Sequence, residues 1–282
     1  MAVRAFAARL RAAAWLGWQI ESNWADPFVF VVYSVSRPLA MALILAGMYW
    51  AVAGHASHAH RFLGFFVANA FHAYVTTVVL GMGWVVVEER EEYETLKYVV
   101  TSPIGMFTYL AGRGSVKLLL ASLSTLLTLL VGWFLLGQRW AWSSVQWGPL
   151  AVALALGLVA SLYLGFLVAG LTLMLPRVSV TLNEGIGVAL YLLCGVTFPV
   201  DMLPRGVRDL ALALPFTHWY EALRRFLLGA GASRLLSGLS DGQLLLALAG
   251  TTVAFCILSR WGYLALERRA RRLGRIDQTM LF

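Results

Sequence analysis

Charge is the scarcest ingredient of this chain. Asp, Glu, Lys and Arg make up 13% of its 282 residues, about half of what a soluble domain carries. Lysine is almost absent, with only Lys97 and Lys117. Neither lies in a G-x-x-x-x-G-K-[ST] pattern, so the chain has no P-loop with which to cradle a nucleotide's phosphates. No G-x-S-x-G nucleophile motif occurs either. The two cysteines, Cys194 and Cys256, sit in apolar stretches, which excludes a disulfide framework and reads as packing.

What fills the space is apolar. Hydrophobic residues reach 60% and the mean hydropathy is +0.75. A water-soluble fold of this length would have to expose large apolar patches, so lipid is the expected solvent. The net charge of +8 flanks apolar spans, which suits topology and anionic headgroups better than nucleic acid.

A membrane crossing needs about 20 mainly apolar residues. Six such stretches are expected, at 27–53, 62–87, 115–136, 149–175, 184–200 and 241–264. The fold class is therefore all-α integral membrane. Residues 1–24 break their apolar run at Gln19, Glu21 and Asn23. They read as an amphipathic interfacial helix rather than a cleavable signal. With an even number of crossings both termini share a side. Thirteen Lys and Arg then lie on the side of the termini and seven on the other, which points both termini to the cytoplasm. Residues 265–282 form a basic tail on that side, and 201–240 lie outside, in a mixed segment with two prolines.

The most informative stretch follows the second crossing. Glu88, Glu89, Glu91, Glu92 and Glu94 lead into Thr95, Leu96 and, further on, Ser102 and Pro103. Tyr93, Leu96, Val99 and Val100 recur at roughly helical spacing. The pattern predicts an amphipathic helix over 88–103, acidic at its start where the helix dipole favours carboxylates and stopped by Pro103. Such a helix could be a handle for a soluble partner, or a solvated connector between crossings.

The order Glu-rich, Thr95-Leu96, Thr101-Ser102-Pro103 resembles the cytoplasmic loop of type-2 ABC transporter permeases. In those proteins the loop forms a coupling helix that docks on a nucleotide-binding subunit. Gly195-Val196-Thr197-Phe198-Pro199 through Pro204, then Leu214-Pro215-Phe216-Thr217-His218-Trp219-Tyr220-Glu221, resembles the fifth helix and the short extracellular re-entrant helices of that family. The basic tail with Gly274 and Asp277 resembles its C-terminal end. The family often has Gly before the Thr-Leu pair, where this chain has Glu94. The resemblance implies a permease without its own ATPase, exporting a hydrophobic or amphipathic substrate such as a drug, antibiotic, lipid or lipid-linked glycan. It implies two ATPase chains holding ATP and Mg, and a second permease chain, identical or related. It also implies an outer gate around Gly195, Phe198, Pro199, Pro204 and Pro215. A secondary transporter or channel with no ATPase is the alternative; it would need intramembrane charge or broken helices.

Weaker patterns remain. Ala153, Gly157, Ser161, Gly165 and Ala169 recur every four residues, a small-residue row suited to close helix packing. Arg37 lies about 15 Å into the first crossing and either lines a pathway or snorkels to the interface. His55, His58 and His60 crowd one loop, as a zinc site or, more simply, a solvated loop. His72 reads as a packing residue. His218 and Glu221, three residues apart, could relay a proton or merely touch.

Overall fold

The computed structural model describes residues 2–23, 26–52, 59–136, 145–229, 231–276 and 278. Among these there are helices and turns but no strand. His55, His58 and Asp277 lie outside the described residues, as do the side chains of Arg37 and His60.

Among the described residues, five helices are long and apolar enough to cross a membrane, over Pro27–Leu45, Phe62–Glu92, Met106–Phe134, Trp147–Met174 and Asp241–Arg272. The first belongs to α2 (Pro27–Val52). The second is one continuous rod, built from α3 (Ala59–Tyr74), a π-helical turn (Val75–Leu80), α4 (Gly81–Val87) and a second π-helical turn (Glu88–Glu92). The short helix α5 (Leu96–Thr101) follows it. Next come α6 (Met106–Leu136) and α7 (Trp147–Met174).

The expected fifth crossing, 184–200, is the largest departure. Helix α8 (Ser179–Leu193) starts earlier and has 15 residues, about 22 Å at 1.5 Å per residue. That is short of a hydrocarbon core of about 30 Å. Cys194 ends it, and Gly195 turns the chain with a φ of +77°. The next elements are α9 (Arg205–Ala213), α10 (Pro215–Leu228), α11 (Arg234–Ser237) and α12 (Asp241–Arg272). Ser240 and Gln243 form a reciprocal capping box that starts α12. The basic stretch expected as a tail from 265 is largely the last turns of α12.

Helix α7 is the axis of the bundle and packs on α12, α4 and α10. Its small-residue row is buried at every position, Ala153, Gly157, Ser161, Gly165 and Ala169. The Trp219 indole of α10 lies where a Cβ on Gly157 would go, and Met82 of α4 where one on Gly165 would go. The row is thus filled by large side chains from within the subunit. Helix α10 starts with Pro215 at its first turn and ends on Gly229 at φ +75°, the usual proline-in, glycine-out arrangement. Trp219 is fully buried, with Phe71, Tyr74 and Phe216 set edge-on around it.

Helix α1 (Ala2–Ser22) lies along α6. Ala13 is buried where Gly112 leaves no room for a Cβ, and Gly17 sits on Arg113. Phe6, Trp15 and Leu16 face outward. The outer sides of α2 and α12 are apolar as well, with Phe28, Ile44, Leu246 and Trp261 exposed, as lipid-facing helices require.

Candidate functional site

The acidic run does not head a surface helix, and the expected helix over 88–103 is two pieces. Glu88–Glu92 are the last turn of the second long rod, and α5 begins only at Leu96. The carboxylates therefore sit at a helix C-terminus, where the dipole opposes them. What offsets this is a set of buried partners. Glu89, 2% exposed, accepts hydrogen bonds from the Tyr109 hydroxyl and the Thr95 hydroxyl. Arg113, 1% exposed, reaches Glu88 at 2.9 Å and Glu89 at 3.5 Å. Glu21 at the end of α1 approaches Arg113 at 3.7 Å and holds Lys117 at 2.5 Å. Arg90 turns the other way and donates to the carbonyls of Thr172 and Leu173 at the end of α7. One charged knot thus binds α1, the second rod and α6, while Arg90 ties it to α7. Removing any member of such a knot leaves a buried charge uncompensated.

The knot holds α5 from behind. Leu96 is 1% exposed and roots it, Val99 and Val100 are half-buried, and Lys97, Tyr98, Thr101 and Pro103 face outward. The Lys97 ammonium lies 5.3 Å from the Tyr98 ring centre. Ser102 ends the helix, its hydroxyl donating to the Val99 carbonyl at 2.8 Å. Arg271 of α12 approaches the Val100 carbonyl at 3.5 Å. The connection into α5 is strained at one point. Glu94 has φ +51°, the left-handed region that a side chain disfavours, and this is where glycine would fit without cost. Glu92 and Glu94 are exposed. Burial, and then the Glu88 and Glu92 carboxylates, push the neighbouring Tyr93 phenol upward.

A second polar centre lies at the opposite end of the bundle. Gly64 and Glu89 stand on the same rod, about 25 residues and so about 37 Å apart. There the Arg224 guanidinium, 4% exposed, donates to the carbonyls of Gly64 (2.8 Å), Gly195 (2.6 Å) and Val196 (3.0 Å). Glu221 is 4.0 Å away and accepts the backbone N–H groups of Ala232 and Ser233. Burial raises its carboxyl, against those N–H groups and Arg224. His218 makes no hydrogen bond to Glu221 among the described residues, so the relay pair does not form there. Beside Arg224 opens a cavity of about 750 Å³, lined by Gly64, Phe65, Phe198, Pro199 and Arg234 among others. Pro204 precedes α9 and Pro215 starts α10, away from that cavity's walls. His72 meets Tyr220 at 3.0 Å and the Tyr191 ring at 5.0 Å between centroids. No cluster of metal-binding side chains occurs among the described residues.

Glu21, Tyr109, Arg113, Lys117 and Arg224 did not stand out in the sequence. One signal was present: Arg113 and Lys117 are one helical turn apart on a helix that is otherwise apolar or small, and a paired cation there needs buried partners.

Long apolar helices ending in satisfied charge define a multi-pass helical membrane protein. The chain belongs to the ABC-2 type transporter family, whose family model matches residues 11–228. It is an ABC transporter permease, a membrane transport component of a kind that typically lacks its own ATPase and partners in general with an ATP-binding subunit. No curated protein matches the chain.

Proposed function

We propose that this chain is the membrane-spanning subunit of an exporter in the cell's inner membrane, moving a hydrophobic or amphipathic molecule at the expense of ATP. ATP and Mg bind in two separate nucleotide-binding chains, and two permease chains, identical or related, face each other across the pathway. Helix α8, with the turn after it, is the fifth of six crossings, and both termini are cytoplasmic. Helix α1 lies at the inner membrane surface, with Trp15 and Leu16 toward lipid. The segment around Gly195, Phe198 and Pro199 forms the outer gate.

The observation that carries this reading is α5. It stands between two long rods with Leu96 as its root and Lys97 and Tyr98 presented outward. A short rigid knob backed by a buried charge knot suits the transfer of a push into the bundle. On this reading the contact face is Lys97, Tyr98 and Thr101, with Glu92 and Glu94 at its rim, while Glu88 and Glu89 serve the knot.

Co-purification with the cognate ATP-binding subunit tests it. Tyr98→Asp combined with Lys97→Glu is expected to strip the ATPase from the permease. Glu92→Lys with Glu94→Lys should weaken the complex less. Unchanged assembly and unchanged ATP-driven transport by the Tyr98→Asp, Lys97→Glu protein would refute the reading.

A further inference from the structure

Arg224 is a costly residue in its position. It is almost fully buried, and its nearest carboxylate, Glu221, is 4.0 Å away and already occupied by two backbone N–H groups. Its Nε and Nη2 donate to three backbone carbonyls from two separate parts of the chain. One is Gly64, near the start of the second rod. The other two, Gly195 and Val196, lie in the turn after α8, outside any helix that would pair their carbonyls. A planar guanidinium can serve both at once; an ammonium offers a single point of attachment.

The surroundings give this contact a further meaning. A void of about 10 Å³, water-sized, lies on one side and is lined by Cys194, Gly195 and Thr217 among others. The 750 Å³ cavity lies on the other side. Arg224 and Pro199 line both. They stand between the water-sized void and the large cavity. Cys194, 1% exposed, sits behind them.

We propose that Arg224 is a positioning residue that latches the turn after α8 against the second rod and keeps the outer end of the subunit shut. Calling that end the gate rests on the exporter reading; the latch itself does not. Arg225, its neighbour, is no part of it. That guanidinium ties α10 to the carbonyls of Leu236 and Leu239 and to Asp241. It is thus a built-in control for the loss of an arginine from the same helix.

The native cysteines give the test. Full-length protein in phospholipid vesicles is treated with N-ethylmaleimide, and modification of Cys194 and Cys256 is followed by peptide mass spectrometry. Arg224→Met is expected to raise the rate at Cys194 at least about tenfold, because the two spaces merge. Arg224→Lys, with a single point of attachment, should protect only in part and give a rate between wild type and Arg224→Met. Arg225→Met should leave Cys194 at the wild-type rate. Cys256, half-buried on α12, reports global loosening and should not change. Wild-type reactivity in Arg224→Met overturns the latch. So does a parallel rise at Cys256, which would mean that the arginine merely holds the fold together.

A separate arm uses the assembled complex with its ATP-binding subunit. Trapping it with Mg-ATP and vanadate should raise wild-type Cys194 labelling toward that of Arg224→Met. A latch seen in the nucleotide-free vesicles with no nucleotide effect in the complex would remove the exporter reading and leave the latch standing.

Discussion

Removal of the Arg113 guanidinium should cost the protein more than the loss of any exposed ion pair. Arg113 is 1% exposed and faces Glu88, Glu89 and Glu21. Among the described residues, in Arg113→Met those carboxylates keep only Lys117 as a cation, and Glu89, 2% exposed, keeps only hydroxyl donors. Breaking a buried pair by removing one partner costs about 3–5 kcal/mol, against about 0–1 kcal/mol for an exposed pair. At about 2–4 °C per kcal/mol for a chain near this size, the melting temperature should fall by roughly 10 °C. Glu89→Gln keeps an acceptor for one of the Tyr109 and Thr95 hydroxyls, while the other can turn to accept from the new amide N–H; it should cost less, about 1–2 kcal/mol for a weakened charged hydrogen bond. The double variant is the sharper measurement. With the unpaired carboxylate at 89 gone, its loss should fall short of the sum of the singles by at least about 1 kcal/mol. The assay is thermal unfolding of the purified protein in one detergent, followed by far-ultraviolet circular dichroism. Additive losses, or an Arg113→Met protein melting within about 2 °C of wild type, would refute the knot as a cooperative unit.

Three further outcomes follow from local geometry. Glu94→Gly relieves a left-handed backbone and should stabilise by about 1 kcal/mol, whereas Glu94→Ala should give no gain; equal melting temperatures for the two would contradict the strain. Gly157→Leu places a side chain where the Trp219 indole lies; overpacking costs about 1–3 kcal/mol, seen as a lower melting temperature, and Gly250→Ala, on an open face of α12, should show no such loss. Leu96→Ala removes the root of α5, with an expected loss of about 2–5 kcal/mol if α5 unfolds with the whole. A local loosening would instead appear as faster amide exchange confined to 93–105.

The long apolar rods were legible because their signal is additive along the chain. Twenty mainly apolar residues outweigh any local preference, and five such rods are present among the described residues. Their ends were less legible. Sequence hydropathy falls at Glu88, but the helix does not, because Arg113, Tyr109 and Thr95 satisfy the carboxylates from elsewhere in the chain. The acidic run looked like the head of a surface helix for the same reason: nothing in 88–103 itself records that Glu89 points inward. Helix α8 fell short of its expected end because Gly195 takes a positive φ and Arg224 collects the carbonyls beyond it. The small-residue row was visible as a seam, but its fillers, Trp219 and Met82, come from parts of the chain that no spacing rule connects. The identity of the family, by contrast, lay in short motifs in order, and it is shown over residues 11–228.

The wide turn at Val75–Leu80 sets the azimuth of everything after it. A regular helix advances about 100° per residue, and a π turn takes up one residue of slack. Winding those same residues as regular α-helix, with none removed, would swing the rod's distal half by roughly a quarter revolution. Met82 would leave Gly165, and Glu89 would leave its guanidinium, with no atom changed in either. The bulge is a vernier: it lets one end of a rigid pole be aimed independently of the other.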